Sequence, residues 1–168
     1  CEAVCGAKVE IVSGEEEAVL SYLGASDGGK CGMIDIGGGS TEFTRGDGAA
    51  IVGAVSLQMG AVRMNAQNPI FSKEEYDTTV LQCRRLIRRD ASALLAEEKR
   101  DYWVGVGGTM TTLGAMERAI PLFDPDTCEG MIISLDRVAA WGERLARLPI
   151  AERGQIVGLM AHRADIIP

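Results

Sequence analysis

The chain has 168 residues, of which 46% are hydrophobic and 24% are charged, as is usual for a globular domain with a sizeable core. Its formal net charge of −7 argues against broad nucleic-acid binding, and no apolar run approaches the ~18–20 residues that span a bilayer. Five scattered cysteines and one histidine form no spacing typical of zinc sites. We therefore expect a cytoplasmic protein with reduced thiols that binds neither nucleic acid nor a membrane.

The first third of the chain predicts a strand, a helix and then a three-strand meander. Alternating β-branched residues predict a short strand over residues 8–12. Ser13 and Glu16 match a capping box, and the helix that it opens ends at Gly24. Three apolar segments joined by short glycine turns follow, which is typical of an antiparallel meander. Its strands are predicted over residues 31–36, 41–45 and 50–57.

The remainder predicts helices that alternate with one strand. A short helix is predicted over residues 60–65, and Ser72 with Glu75 matches a second capping box. That box opens a long amphipathic helix that continues to Leu94. The elements predicted after it are a buried strand over 101–106, a helix from 107 to about 118, a polar loop over 121–130, a helix capped by Ser134 that runs to Leu148, and one or two closing helices. The pattern indicates a single α/β domain, residues 1–168, with a mixed sheet.

Residues 33–43 carry the strongest chemical signal. Asp35 lies inside an apolar strand that leads into Gly37, Gly38, Gly39, Ser40 and Thr41. Glycine has no Cβ, so backbone N–H groups in such a turn can approach an anion closely. Asp35 is a natural Mg²⁺ ligand, direct or through water. It is equally well explained as a turn former that accepts hydrogen bonds from the glycine N–H groups.

A second glycine turn follows another apolar strand. Gly107, Gly108 and Thr109 directly open a helix, where unpaired N–H groups and the positive end of the helix dipole favour an anion. A single glycine loop also serves ordinary turns. Two such loops at strand ends of one sheet predict convergence on one phosphate-binding cleft.

Two further carboxylates are candidates for the site. Acidic residues favour the first turn of a helix, which is sufficient to explain Glu15 and Glu16. Glu17 lies further in without such a local role, and a carboxylate there could orient and deprotonate a water molecule. Glu42, on the strand after the first loop, either adds to the metal shell or is a solvated strand residue.

Taken together, these motifs resemble the exopolyphosphatase and guanosine pentaphosphatase (Ppx/GppA) family. Residues 34–42 match the Mg²⁺ and phosphate loop of that family, and residues 104–109 are similar to its second phosphate loop. The sequence DIGGGSTE alone also resembles the wider superfamily of sugar kinases, chaperones and actin. The upstream sequence SGEEEA, within residues 9–18, narrows the resemblance to Ppx/GppA enzymes, and residues 163–167 resemble their closing region.

The resemblance implies an actin-like (ribonuclease-H-like) lobe of an Mg²⁺-dependent phosphohydrolase. Such an enzyme removes terminal phosphate from polyphosphate or guanosine pentaphosphate. Glu17 would then activate water, Asp35 would hold Mg²⁺ or position that water, and Glu42 would lie near the metal. The residues implied in phosphate binding are Gly37, Gly38, Gly39, Ser40 and Thr41, together with Gly107, Gly108 and Thr109.

Members of the family have two lobes with the cleft between them, and the first lobe carries its own Asp-x-Gly-Ser loop. We see no such segment in this chain, so the resemblance implies the second lobe, with the first lobe as its partner and little or no activity by itself. A homodimeric parent is compatible with it. Two rival interpretations are a kinase of the same superfamily, which requires an adenosine pocket, and a non-catalytic phosphate sensor, which requires the loops but not Glu17.

Overall fold

The order of helices and strands follows the predicted α/β pattern. The computed structural model describes residues 4, 6–26, 29–47, 50–96, 102–121 and 125–168. The strands are β1 (Gly32–Ile36), β2 (Thr41–Gly46), β3 (Ile51–Leu57) and β4 (Trp103–Val106). The helices are α1 (Gly14–Ala25), α2 (Ala61–Gln67), α3 (Lys73–Asp90), α4 (Ser92–Ala96), α5 (Gly107–Glu117), α6 (Pro125–Cys128), α7 (Leu135–Ala146) and α8 (Ile150–Arg153), with a 3₁₀ turn at Ala161–Arg163.

The strands form one sheet in the order β3-β2-β1-β4. The pairs β1–β2 and β2–β3 are antiparallel, which confirms the meander, and β1–β4 is parallel, which confirms the mixed sheet. Because β1 and β4 run in the same direction, the glycine turns that follow them lie at the same edge of the sheet. We call this edge the loop edge.

Helices cover both faces of the sheet. α1 packs on one face, where Tyr22, Cys31 and Met33 form a buried cluster. α3 and α4 pack on the opposite face, around Phe43 and Leu57. The two faces follow from strand alternation, since neighbouring side chains along a strand point to opposite sides.

A third cluster lies beyond the sheet, where the C-terminal segment packs against α5 and α7. The Arg153 side chain is fully buried next to this cluster and connects neighbouring segments by hydrogen bonds. Its guanidinium donates to the backbone carbonyls of Leu145, Leu148, Ala164 and Ile70. Three chain segments, around residues 70, 145–153 and 164, are thereby held together by one side chain.

Ser13 and Glu16 confirm the first capping box, with hydrogen bonds in both directions. The second box forms only in part. Ser72 accepts the hydrogen bond from the Glu75 N–H, but the Glu75 carboxylate accepts one from the N–H of Phe71 instead of Ser72. Ser134 caps α7 as predicted, although the helix ends at Ala146, two residues earlier than expected.

The strand predicted over residues 8–12 is wrong. These residues form no strand, and the side chains of Val9, Ile11 and Val12 are exposed. Strand propensity measures how well a residue fits a half-buried pleated surface, and no such surface covers this segment in the described structure.

Three other expectations need correction. β4 is not a buried strand, because it is an outermost strand of the sheet and Trp103 is 41% exposed. The long helix is interrupted at Ala91, which is buried under the sheet, and α4 then turns so that the Leu94 carbonyl accepts from the Arg45 guanidinium. The loop predicted over 121–130 contains α6. Residues 122–124 lie outside the described residues, as does residue 101 of the strand predicted over 101–106.

Candidate functional site

The two glycine loops meet at the loop edge, as expected. Gly107 has a φ of +85°, a backbone conformation that side chains with a Cβ rarely adopt. An added Cβ at Gly107 would lie 2.7 Å from Asp35 Oδ1 and 2.9 Å from the carbonyl oxygen of Ile36. The second loop therefore lies directly against Asp35 and the start of the first loop.

The first loop turns its carbonyl groups toward α2. The Gly37 carbonyl accepts from the Ala61 N–H at 2.9 Å, and the Gly38 carbonyl accepts from the Arg63 N–H at 3.0 Å. The Arg63 Nε donates to the carbonyl of Gly39 at 2.7 Å. The N–H groups of Gly38 and Gly39 donate to no acceptor in the part of the chain described, and both residues are exposed. The loop thus presents free donors beside a guanidinium, which suits an anion.

The two hydroxyl residues of the first loop differ in placement. Ser40 closes the turn through its carbonyl, which accepts from the Gly37 N–H at 3.1 Å. Thr41 is 1% exposed, and its hydroxyl donates to the Met59 carbonyl at 3.0 Å. The Thr41 side chain is therefore committed to the fold and not available to a phosphate group.

Two carboxylates lie in register across the sheet. Asp35 on β1 is the partner of Glu42 on β2, and Glu42 is the partner of Ser56 on β3, so all three side chains share the face covered by α1. Ser21 donates to Asp35 Oδ2 at 3.0 Å, and Ser56 donates to Glu42 Oε1 at 2.7 Å. Glu42 is 2% exposed, so its interpretation as a solvated strand residue is wrong.

Helix α1, which carries Glu17, packs over this pair. At one end of the helix, an added Cβ at Gly14 would lie 2.8 Å from the Ser56 hydroxyl oxygen. Two turns later, Ser21 binds Asp35. Positions 14, 17 and 21 follow helical spacings of three and four, so they share one flank of the helix. Glu17 is exposed, and its helix position lies between the one that approaches Ser56 and the one that contacts Asp35.

The second loop carries a cation that sequence reasoning missed. No side chain caps α5, so the N–H groups of Gly107, Gly108 and Thr109 lack partners within the helix. An added Cβ at Gly108 would lie 2.6 Å from a terminal nitrogen of Arg163, which places that guanidinium over the helix N-terminus. Arg163 Nε is buried without a hydrogen-bond partner in the described structure. Sequence spacing offers no signal for this contact, because Arg163 lies far along the chain.

The Thr109 side chain lies beside a cavity. Its hydroxyl is buried without a partner in the described residues and lines a cavity of about 240 Å³ that also touches Ile36 and Met64. A larger cavity of about 640 Å³ lies elsewhere, beside Trp141, and contains none of the predicted site residues.

Asp35 and Glu42 form the candidate metal position. Within the described ranges, no group of three or more His, Cys, Asp and Glu residues could hold a metal ion, and neither carboxylate forms an ion pair. Mg²⁺ commonly binds one or two carboxylates and completes its octahedron with water and substrate oxygens. The donor set fits Mg²⁺ better than a transition metal that needs nitrogen or sulfur ligands.

A sequence model of the Ppx/GppA phosphatase family matches residues 1–168. The chain belongs to the Ppx/GppA phosphatase family. Exopolyphosphatase 2 of Mycobacterium tuberculosis is 32% identical over 178 residues, covering 98% of this chain and 54% of that protein. The chain thus spans about half the length of the curated relatives that it matches.

Solved structures of the family agree with the fold. The type II variant of the Aquifex aeolicus Ppx/GppA phosphatase superposes with a TM-score of 0.79 at 26% identity, over 99% of this chain and 56% of that one. An exopolyphosphatase-like protein gives a TM-score of 0.83 at 29% identity, over the same shares of the two chains. These similarities confirm the predicted actin-like α/β lobe.

Two findings bear on the remaining expectations. In the part of the chain that the structure covers, no helix has the length and apolar character needed to cross a membrane. Cys31, Cys83 and Cys128 are free thiols. Cys1 and Cys5 lie outside the described residues.

Proposed function

We propose that this chain is the second lobe of an Mg²⁺-dependent phosphohydrolase that releases terminal phosphate from polyphosphate or guanosine pentaphosphate. The observation that carries the proposal is the meeting of Asp35 and both glycine loops at one edge of the sheet, beside the helix that carries Glu17. Membership of the Ppx/GppA phosphatase family supports the reaction class. The substrate alternatives come from the family resemblance.

The loops would bind the phosphate groups. Phosphoryl transfer requires the protein mainly to position groups and to neutralise charge. Free N–H groups of Gly38 and Gly39 provide donors at the first loop, and the N-terminus of α5 provides them at the second. Arg63 and Arg163 lie beside the first and second loop respectively, and each would offset part of the phosphate charge.

Asp35 would hold Mg²⁺, with Glu42 as its neighbour. Two adjacent carboxylates without a cationic partner in the described residues create a local negative charge that a divalent ion relieves. Asp35 is the more accessible of the two, since Glu42 lies beneath the first turn of α1. The bound ion would supply charge neutralisation and orientation of phosphate oxygens.

Glu17 would act as the general base. Its side chain is exposed and makes no hydrogen bond or ion pair with other described residues. The carboxylate is therefore free to accept a proton from a water molecule that attacks the terminal phosphorus. Such a positioned base typically contributes ~10²–10⁴-fold to the rate.

A first lobe would complete the cleft. Val9, Ile11, Leu20 and Leu23 are exposed apolar side chains on residues 8–12 and on the outer side of α1. Matching relatives are about twice as long as this chain, which supports a further lobe as the cover for these side chains. We expect the 168-residue chain alone to hydrolyse phosphate feebly or not at all.

The test is Mg²⁺-dependent phosphate release by the two-lobe protein, with long-chain polyphosphate and guanosine pentaphosphate compared side by side. Glu17→Gln should lower turnover ~10²–10⁴-fold while substrate affinity changes little. Glu15→Gln, on the same exposed helical turn, is the matched control and should leave turnover within about threefold, because its carboxylate has no role in the site.

Each alternative result has a defined meaning. Equal turnover of Glu17→Gln and wild type would refute the assignment of Glu17 as the general base. Tight ligand binding by wild type without release from either substrate would favour a phosphate sensor. Phosphate transfer from ATP to an acceptor would favour a kinase.

A further inference from the structure

We infer that Ser21 is a positioning residue whose hydroxyl holds one oxygen of Asp35 so that the other faces the junction of the two glycine loops. The inference deepens the proposed function and rests on it only in taking Asp35 as a metal ligand. No motif of the sequence singles out Ser21, which occupies an ordinary position in the middle of α1.

The two carboxylate oxygens of Asp35 have different neighbours. Oδ2 accepts the Ser21 hydroxyl at 3.0 Å. Oδ1 lies at the second loop, since it is the atom that an added Cβ at Gly107 would approach to 2.7 Å. Because Oδ2 already accepts a hydrogen bond, Oδ1 is the oxygen presented to an incoming cation. It lies where both loops present backbone N–H groups to a phosphate.

A serine inside a helix does not usually donate its hydroxyl to a residue of another element. Its hydroxyl commonly bonds back to the carbonyl four residues earlier, which here belongs to Glu17. Ser21 instead makes a contact with a strand 14 residues away in sequence. The longer-range bond implies that the local position of Asp35, rather than the needs of the helix, determines the orientation of the hydroxyl.

Asp35 has a reason to need such a partner. It faces the like-charged Glu42 across the β1–β2 ladder, and the terminal torsion of an aspartate is soft. Repulsion between the two carboxylates therefore favours rotation or displacement of Asp35. One serine donor on each carboxylate, Ser21 for Asp35 and Ser56 for Glu42, opposes that movement.

The same bond couples the proposed metal ligand to the proposed base. Glu17 lies one turn before Ser21 on the same helix flank. α1 is held to the sheet independently by the Thr44 hydroxyl, which donates to the Ala18 carbonyl at 3.2 Å, and by the buried Tyr22. Loss of the Ser21 hydroxyl should therefore disturb Asp35 without releasing the helix.

The experiment compares Ser21→Ala and Ser21→Thr with Ser92→Ala, a matched control on an exposed site of α4. Mn²⁺ binding to the 168-residue chain is measured by electron paramagnetic resonance, and the melting temperature is recorded for each variant. We expect Ser21→Ala to bind Mn²⁺ about tenfold more weakly, the usual effect of removing a partner that orients a metal ligand. Ser21→Thr keeps the donor and should stay within about threefold of wild type, while Ser92→Ala should be unchanged.

A second readout uses the two-lobe protein. Ser21→Ala should raise the Mg²⁺ concentration for half-maximal phosphate release about tenfold, with a smaller change in turnover at saturating Mg²⁺. A purely structural role would instead lower the melting temperature and leave the metal dependence in place.

Two results would overturn the inference: equal Mn²⁺ affinity of Ser21→Ala and wild type, or no measurable Mn²⁺ binding by wild type. A failure of the proposed function is distinguishable from both. If the two-lobe protein releases no phosphate while Mn²⁺ affinity still depends on the Ser21 hydroxyl, the phosphohydrolase proposal fails and the role of Ser21 stands.

Discussion

Gly107→Ala should damage both the fold and the site, because two separate constraints require glycine at this position. Its φ of +85° is unfavourable for any residue with a Cβ. The added methyl group would also lie 2.7 Å from Asp35 Oδ1 and 2.9 Å from the Ile36 carbonyl oxygen. Real Cβ atoms essentially never approach other atoms this closely, so the loop or Asp35 has to move.

The structure allows the two costs to be separated. Left-handed backbone costs an L-residue about 1–2 kcal/mol, and crowding in a packed site costs about 1–3 kcal/mol. Gly107→Ala should therefore lose about 2–5 kcal/mol of unfolding free energy. Gly130 has a similar φ of +67° but open space within 4 Å of an added Cβ. Gly130→Ala should show only the backbone part, about 1–2 kcal/mol.

Gly108→Ala completes the series. Gly108 has no positive φ, and its added Cβ would meet the guanidinium of Arg163, the movable end of a long side chain. The unfolding free energy of Gly108→Ala should differ from wild type by less than about 1 kcal/mol, because substitutions at exposed positions without a special backbone conformation have small effects. Phosphate affinity of the two-lobe protein should still fall, because Arg163 is displaced from the helix N-terminus.

Urea unfolding of the 168-residue chain, followed by far-ultraviolet circular dichroism, measures the three variants against wild type. The reasoning predicts the order of loss Gly107→Ala, then Gly130→Ala, then Gly108→Ala. If Gly107→Ala and Gly130→Ala lose the same free energy within ~0.5 kcal/mol, the close approach of the second loop to Asp35 is refuted.

Two further predictions concern the hydrogen bonds that hold buried or paired carboxylates. Ser56→Ala removes the donor to the buried Glu42 and should cost about 1.5–3 kcal/mol in urea unfolding, a loss that should shrink in a Glu42→Gln background if this bond is the cause. Hydrogen bonds from Arg137 and then Trp141 hold the pKa of Glu117 below its usual 4.5. The Glu117 carboxylate therefore stabilises the fold above pH 4.5 and loses that effect as the pH falls through its lowered pKa. Glu117→Gln should accordingly be less stable than wild type at pH 7, and the difference should shrink as the pH is lowered below 4.5. A difference that stays constant with pH would contradict this assignment.

Local signals explain why much of the fold was predictable. The Ser13 capping box needs only residues within one helical turn, and the meander needs only short glycine turns between alternating segments. The convergence of the two loops was also predictable, since strands that share a direction end at the same edge. The family resemblance supplied the proposed roles of Glu17 and Asp35, which residue spacing alone left open.

Features that depend on distant contacts were not predictable. Residues 8–12 have strand-forming side chains but no covering surface in the described structure. The helix break at Ala91 follows from packing against the sheet and from the hydrogen bond between Arg45 and the Leu94 carbonyl. Neither contact is recognisable in the local sequence. Thr41 illustrates the same limit at the site, because only the fold shows that its hydroxyl is taken by Met59.

The charge balance of the loop edge has a consequence for the proposed reaction. On the proposed function, Glu17, Asp35 and Glu42 would place three carboxylates beside loops that bind a polyanion. Arg63 and Arg163 offset only part of this charge, and a phosphate chain adds further negative charge. Repulsion over such short distances is strong in a partly buried site, so a divalent ion at Asp35 would be required for tight substrate binding as well as for turnover. On this argument the Ser21 bond, by fixing Asp35, sets the affinity for the substrate as well as for the metal.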